Sequence, residues 1–484
     1  MNSELPVYHS KDELLKIAKT ASGHRFSEYD INNRLSSKNK GCLGQIIEEG
    51  LFKYPINCRA EADFANLGVE LKVTGMKPSK KKEYSSKERL VLNIINYMEE
   101  YNIEFEDSSF LKKSQELLLM FYYYDLAKIN DYNFLIVDSV LHKFSDNDLA
   151  IMEHDWNIIQ DKIKNGKAET ISEADTMYLG ACRKGAGGEK DLRDQPNSDT
   201  KAPQRAYCLK QSYIDYIILK NEIHQKCKDI LNESLTKVSV NETLISDEDS
   251  FNGSFIDSIQ QKLSKYIGMS EDELSKLFFK HSERKNKNKY ENLIADMLGI
   301  KGLVNNCEEF IKANILLKTF RITEDPSKQQ HMSFPSFKYQ DIVKGDWHES
   351  DLFQMFYSTK FLIAYFEEIK GKFYFQGVKL WNMPLDMIES KAYPIWQKTV
   401  DCLNSGNVVR KVTPSKMYVH LPTSSSKEQV VHVRPHSTKS ILHGDQYGYD
   451  LPVPDKLTGL TKFTKYCFWL DKHFIISLLK EKES

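Results

Sequence analysis

No run of eighteen or more apolar residues occurs in this chain of 484 residues, which excludes a membrane-spanning helix. No basic-then-apolar segment opens it: MNSELPVYHSKDELLK is polar and mixed in charge, so the cytoplasm is the expected location. No C-x-x-C occurs among the eight cysteines, whose irregular spacing argues for reduced thiols rather than a disulfide framework or zinc ribbon. His432 and His436 stand four apart in VHVRPHS, but no cysteine or carboxylate nearby completes a zinc set, and both read as loop residues. Gly185, Gly187 and Gly188 lie close together without a following G-K-[ST], which removes a phosphate-binding P-loop. There is no excess of positive charge either; the formal net charge is -1. That excludes binding to nucleic acid by bulk charge and leaves the question to local clusters.

Hydrophobic residues make up 40% of the chain and aromatic ones 11%, enough for globular folding, and the length suggests two or three domains. Two basic stretches stand out. One is KPSKKKEYSSKER, from Lys77 to Arg89; the other carries Lys184, Lys190, Arg193, Lys201, Arg205 and Lys210 between glycines and prolines. Either is equally compatible with a solvated loop.

The strongest architectural signal is an internal repeat. Asp12 leads to Gly23 as Asp257 leads to Gly268, at one separation. Lys38-Asn39-Lys40 precedes the apolar helix Ile46-Ile47-Glu48-Glu49-Gly50-Leu51, and Lys285-Asn286-Lys287 precedes Leu293-Ile294-Ala295-Asp296-Met297-Leu298. Trp156 stands ten residues before Gly166, and Trp396 ten before Gly406. Tyr207-Cys208 returns as Tyr466-Cys467. The matches keep their order and nearly constant offset, which unrelated short words would not do. The expected organisation is therefore two diverged copies of one domain, residues 1–235 and 255–484, joined by a polar, acidic linker at 236–254. LLLMFYYY (Leu117 to Tyr124) and FLIAYF (Phe361 to Phe366) suit buried central strands, and the class is mixed α/β.

Chemistry concentrates in RAEADFANLGVELKVTG. The alternation in Val69-Glu70-Leu71-Lys72-Val73 places apolar residues on one face of a strand and Glu70 with Lys72 on the other. Asp63 precedes Glu70 by seven residues. Two carboxylates and a cation are what phosphodiester hydrolysis requires, because a hard divalent metal needs oxygen ligands and the attacked phosphate needs positive charge. In a chain with 28% charged residues the bare spacing also arises by chance. The second copy sharpens the reading. Sliding one copy onto the other sets Glu309, Leu316 and Lys318 against Asp63, Glu70 and Lys72. A leucine replaces one carboxylate, so the second copy reads as having lost the site.

With Glu49 fourteen residues before Asp63, the Glu…Asp…Glu-x-Lys ladder after NKGCLGQIIEE resembles the MutH-like branch of the PD-(D/E)xK nucleases. KERLVLNIINY, DWNIIQDKIKNGKAETISEADTMYLGACRKGA and QRAYCLKQSYIDYII are similar to GATC-cutting restriction enzymes of the Sau-three-A type. The resemblance covers the N-terminal half and, more faintly, the C-terminal half. It implies two tandem restriction-endonuclease-like domains, each a mixed central sheet flanked by helices, of which the first cuts double-stranded DNA and the second binds without cutting. It assigns Mg²⁺ to Asp63, Glu70 and the Leu71 carbonyl, and a metal-bound water or second ion to Glu49. Lys72 would position or deprotonate the attacking water and offset charge on the transition state, and a further lysine, Lys113 or Lys112, would complete the site. Sequence reading falls to Arg183, Lys184 and Gly185, with Arg205, Tyr207 and Lys210 as a second arm of the clamp. In the second copy it falls to Arg434 and His436. Cys208 stands where the mismatch-repair enzyme has a tyrosine associated with sensing methylated adenine, a departure that leaves methylation sensitivity open. The implied activity is that of a type II restriction endonuclease acting at GATC, with a cognate methyltransferase in the same system. The implied state is a monomer in solution, alone or as a dimer or two-site complex on DNA. A methyl-directed nickase and a catalytically silent DNA-binding protein are the alternatives; duplication speaks against the first and the intact acidic set against the second.

Overall fold

The computed structural model describes residues 6–37, 41–56, 61–79, 83–185, 188–233, 243–244, 254–278, 288–414, 416–423, 429–436 and 448–481. The Lys38–Lys40 and Lys285–Lys287 repeat words, Ala186 and Gly187 of the reading loop, and most of the 236–254 linker lie outside these residues. The chain divides into two compact units, residues 1–258 with 299–315 and residues 259–298 with 316–484.

In the first unit, strands β1 (Val69–Ser79), β2 (Glu83–Ser86), β3 (Leu90–Ile94), β4 (Glu116–Tyr123) and β5 (Leu135–Lys143) are followed by β6 (Leu179–Arg183), β7 (Leu192–Gln195), β8 (Ser198–Pro203) and β9 (Arg205–Leu209). The main sheet runs β2-β1-β4-β5, with β1 parallel to β4 and the other pairs antiparallel. β4 is buried from Glu116 to Tyr122, as its unbroken apolar run requires of a strand covered on both faces. Val69 and Leu71 of β1 join Leu118 and Met120 of β4 in a core that also takes Leu14 and Ala18 of helix Lys11–Thr20 and Cys42, Leu43 and Ile46 of helix Cys42–Ile46. Each large aliphatic side chain so buried contributes roughly 1.5–3 kcal/mol. Several of them together offset the cost, of order several kcal/mol, of holding the Glu70 carboxylate only 1% exposed on the opposite face of β1. A second sheet, β3-β9-β6, and the hairpin β7-β8 complete the unit.

The second unit repeats this plan. Its strands are β10 (Ile315–Ile322), β11 (Met332–Ser336), β12 (Lys360–Ile369), β13 (Lys372–Trp381), β14 (Val409–Thr413), β15 (Lys416–Val419), β16 (Val431–Pro435), β17 (Tyr449–Asp450), β18 (Lys462–Phe463) and β19 (Tyr466–Leu470). β10-β12-β13 answers to β1-β4-β5, and β11-β19-β16 to β3-β9-β6; β14 and β15 form an added hairpin. The words that repeat in sequence hold equivalent posts. Gly23 N–H donates to Ile136 of β5 (2.9 Å) and Gly268 N–H to Phe375 of β13 (2.8 Å). Trp156 and Trp396 are buried in the helices Asp146–Lys164 and Tyr393–Asn404. Gly166 and Gly406, just beyond those helices, have φ of +65° and +66°. A Cβ at Gly166 would meet Asn197 O at 2.7 Å, and one at Gly406 would meet Pro454 O at 2.8 Å, so both positions demand glycine. Tyr207-Cys208 and Tyr466-Cys467 occupy the central strands β9 and β19.

Helix Glu308–Ala313 crosses the boundary expected from sequence and packs in the first unit. Its Lys312 is 2% exposed, with Nζ 2.6 Å from Asp148 Oδ1 and 2.5 Å from Glu308 Oε1. The ammonium faces the rings of Tyr178, Tyr213 and Tyr216, and Ser212 Oγ donates to the Lys312 carbonyl at 2.7 Å. Glu309 accepts Thr243 Oγ1 at 2.6 Å and Leu244 N–H at 3.0 Å. His432, read from sequence as a loop residue, is instead the second residue of β16 and fully buried. The alternation Val431, His432, Val433 is a strand pattern that the following Arg-Pro obscured.

Candidate active site

Asp63 is folded back onto β1 by a short 3₁₀ turn, Ala65–Leu67, closed by mutual backbone hydrogen bonds between Phe64 and Val69. Asp63 N–H donates to Glu70 Oε2 (3.2 Å) and Leu71 N–H donates to Asp63 Oδ2 (2.9 Å). Seven residues of separation thus become direct contact. Lys72 Nζ lies 2.5 Å from Glu70 Oε1, on the charged face predicted by the alternation. Lys113 Nζ lies 3.6 Å from the same oxygen. It comes from helix Ser109–Ser114, which feeds β4, the parallel neighbour of β1. Lys112 is 61% exposed and pairs with Asp107 at 3.3 Å, so of the two candidate lysines the structure brings Lys113 to the carboxylates.

Glu49 is not brought there. Its carboxylate takes a two-pronged bond from Arg34, Nε to Oε2 at 2.5 Å and Nη2 to Oε1 at 2.7 Å. Its neighbour Glu48, which spacing did not select, is held up to about 7 by burial and by the charges of Asp63, Glu70 and Glu49, against the pull of Lys72. The cause of the offset is local. Residues Ile47–Leu51 form a π-helical turn closed by Phe52 N–H to Ile47 O (3.1 Å), and the extra residue in that turn rotates the acids relative to an α-helical count. The matching segment of the second copy lies in the α-helix Lys289–Met297, where Ala295 occupies the Glu48 position.

Three carboxylates therefore share this site with two lysines. Burial raises the Glu70 carboxyl, and Asp63 adds to it, while Lys72 and Lys113 oppose. Oxygen donors with uncompensated negative charge in a partly dry site suit a hard divalent cation, and the donor set fits Mg²⁺. Leu71 keeps its side chain in the core and its N–H on Asp63.

The expected DNA-reading residues separate into two groups. Arg183 and Gly185 are exposed and Lys184 half-buried at the end of β6. Gly185 has φ +96°, and the Asp191 carboxylate fills the space its Cβ would need, 2.2 Å away. Arg205, Tyr207 and Lys210 are turned inward, contrary to their expected place on the clamp. Arg205 is 4% exposed and donates to the Ala181 carbonyl at 2.8 Å. Tyr207 is fully buried, its hydroxyl 3.1 Å from both Gln160 Nε2 and Glu100 Oε2. Lys210 Nζ donates to the carbonyls of Glu173 (2.6 Å) and Thr176, and burial lowers it to about 8 despite the nearby Asp155. Strand alternation and packing, invisible in a count of basic residues, made these three structural. Cys208 is buried beside Cys182.

In the second unit Arg434 and His436 are exposed. Arg434 pairs with Cys467 as Gly180 pairs with Cys208, so it stands within the strand, three residues short of the place Arg183 holds. Its guanidinium lies 5.8 Å from the Trp469 ring centre. Leu316 packs into the second core and Lys318 Nζ contacts the Ser333 carbonyl at 3.4 Å.

Residues 52–155 match the family model described as DNA mismatch repair enzyme MutH. The chain is 31% identical to the type II restriction enzyme Sau3AI of Staphylococcus aureus, over 97% of this chain and 98% of that protein.

Proposed function

The chain belongs to the family of type II restriction enzymes that includes Sau3AI, and on that premise we propose that it cleaves double-stranded DNA at GATC with Mg²⁺ as cofactor. The observation that carries this reading is the grouping of Asp63, Glu70, Lys72 and Lys113 around one face of β1, with Glu48 beside them. Asp63, Glu70 and the Leu71 carbonyl hold the cation, which when bound supplies Lewis acidity toward a phosphate oxygen. Lys72 orients the attacking water and, with Lys113, offsets charge that grows on the phosphate as the water oxygen bonds to phosphorus. Glu48, with an affinity for protons near neutrality, takes the proton that water gives up.

The exposed Arg183 and the half-buried Lys184 read base edges from the end of β6, as Arg and Lys do at guanine N7 and O6. Arg205, Tyr207 and Lys210 support that arm from within. The second unit, with Ala295 and Leu316 where the first has Glu48 and Glu70, engages DNA through the segment that begins at Arg434 and His436 and does not cut. The enzyme works in a bacterial cytoplasm alongside a GATC methyltransferase, as a monomer in solution that forms a dimer or a two-site complex on DNA.

Incubation of unmethylated plasmid with Mg²⁺ is expected to give linear fragments ending at GATC. Nicked circles or intact plasmid would overturn the reading. Asp63→Ala and Glu70→Ala are expected to lower cleavage by at least about 10²-fold while retaining DNA retardation in Ca²⁺.

A further inference from the structure

Three residues far apart in sequence meet at one end of the sheet β11-β19-β16. His331 immediately precedes β11, His432 is the second residue of β16, and Asp471 immediately follows β19, the strand between them. The sheet register sets Leu470 against both Met332 and Val431, so the three side chains arise from adjoining, hydrogen-bonded strand ends. His331 Nδ1 lies 3.4 Å and His432 Nδ1 4.0 Å from Asp471 Oδ2. The two rings meet edge to face, their centres 4.6 Å apart. Among the described residues this is the one place where ligand atoms from three His, Cys, Asp or Glu side chains all lie within 4.8 Å of one another.

A second observation points to a ligand. His432 is 0% exposed, and neither of its ring nitrogens has a hydrogen-bond partner. A buried polar group left unsatisfied is costly, and here the group faces a carboxylate and a second imidazole. Asp471 Oδ1 accepts the His473 N–H (2.8 Å) as the cap of helix Lys472–Lys480, while Oδ2 is the oxygen turned toward both imidazoles.

We infer that His331, His432 and Asp471 form a site for a transition-metal dication of the zinc type, separate from the acidic site of the first unit. Two imidazoles and one carboxylate are borderline donors that suit Zn²⁺, whereas Mg²⁺ takes oxygen ligands almost exclusively. His331 Nδ1 accepts the Lys472 N–H at 3.1 Å, a single bond that coordination replaces. Such an ion ties together all three strands of the sheet. Because side chains alternate along a strand, His432 and Arg434 share a face of β16. The ion therefore fixes the strand from which Arg434 projects, and its role is structural.

The test uses the full chain carrying Asp63→Ala, which removes the competing acidic site. The protein is stripped with a chelator, dialysed, supplied with zinc, desalted in excess Mg²⁺ and assayed for zinc by mass spectrometry and for thermal midpoint. About one zinc per chain is expected to remain, with a raised midpoint, and Co²⁺ in its place is expected to show the visible bands of a four-coordinate ion. His432→Gln and Asp471→Asn are expected to lower retained zinc at least tenfold; Asn preserves the helix cap, so Asp471→Asn reports even if His432→Gln does not fold. No retained zinc, or equal zinc in the parent and either variant, would overturn the assignment. The readout is metal content rather than cleavage, so its failure would leave the nuclease reading untouched.

Discussion

Glu48 and Glu49 are consecutive residues with separate partners: Glu49 is clasped by Arg34, while Glu48 shares its surroundings with Asp63, Glu70 and Lys72. The π-helical turn Ile47–Leu51 is what parts them. Glu48→Gln is expected to slow cleavage by about 10²-fold or more, since it removes a proton acceptor at the reacting water. Glu49→Gln is expected to keep the rate within a few fold and to lower the thermal midpoint slightly through the weakened, solvent-screened Arg34 pair. Single-turnover digestion and thermal melts of the two variants decide it; the opposite ranking would return the role to Glu49.

Lys113 and Lys112 offer a parallel comparison on one short helix. Lys113→Ala is expected to reduce cleavage by about 10²-fold, because its ammonium is 3.6 Å from Glu70. Lys112→Ala, at an exposed pair with Asp107, should change neither rate nor midpoint measurably. Equal losses in both would dissociate the helix from the chemistry.

The raised Glu48 carboxyl predicts a pH dependence of stability. Its ordinary value near 4.5 rises to about 7 in the folded chain, chiefly through burial. The folded state therefore holds the proton more tightly than the unfolded chain does. Its stabilising contribution is complete below about 4.5 and disappears as pH climbs through about 7. Without divalent metal, Glu48→Gln is expected to gain in thermal midpoint over the parent as pH rises across that interval, and added Mg²⁺ should narrow the gap. A constant difference from pH 5 to 8 would refute the burial of this carboxylate.

Asp155 governs the start of β6. Its carboxylate accepts the N–H groups of Met177 (2.6 Å), Tyr178 (2.6 Å) and Leu179 (2.9 Å), with the Lys210 charge nearby. Asp155→Asn leaves a buried cation less compensated and loses at least one of those bonds, at a cost of about 2–4 kcal/mol. We expect a lower thermal midpoint and a KM for DNA that rises more than kcat falls, measured below the variant's melting range. An unaltered KM would detach this turn from DNA reading.

Much of the architecture was legible because backbone constraints write themselves into sequence. The paired glycines at 166 and 406 recur since an intruding carbonyl leaves no room for a side chain. Glu70 and Lys72 were legible as a pair because strand alternation aims them to one face, whereas Asp63 reaches them through the turn Ala65–Leu67. Glu48 was not, because a widened turn is a hydrogen-bonding event without a compositional mark. Arg205, Tyr207 and Lys210 misled for the reverse reason: basic and aromatic residues suit DNA, but these three satisfy buried carbonyls and a carboxylate. His331, His432 and Asp471 were out of reach of local spacing because sheet register, not proximity along the chain, brings them together.

Lys312 makes the first unit depend on a segment that lies far beyond its own repeat. A chain truncated after residue 258 would strip the counter-ion from Asp148 and uncover three tyrosines, so the first unit is incomplete without residues 299–315.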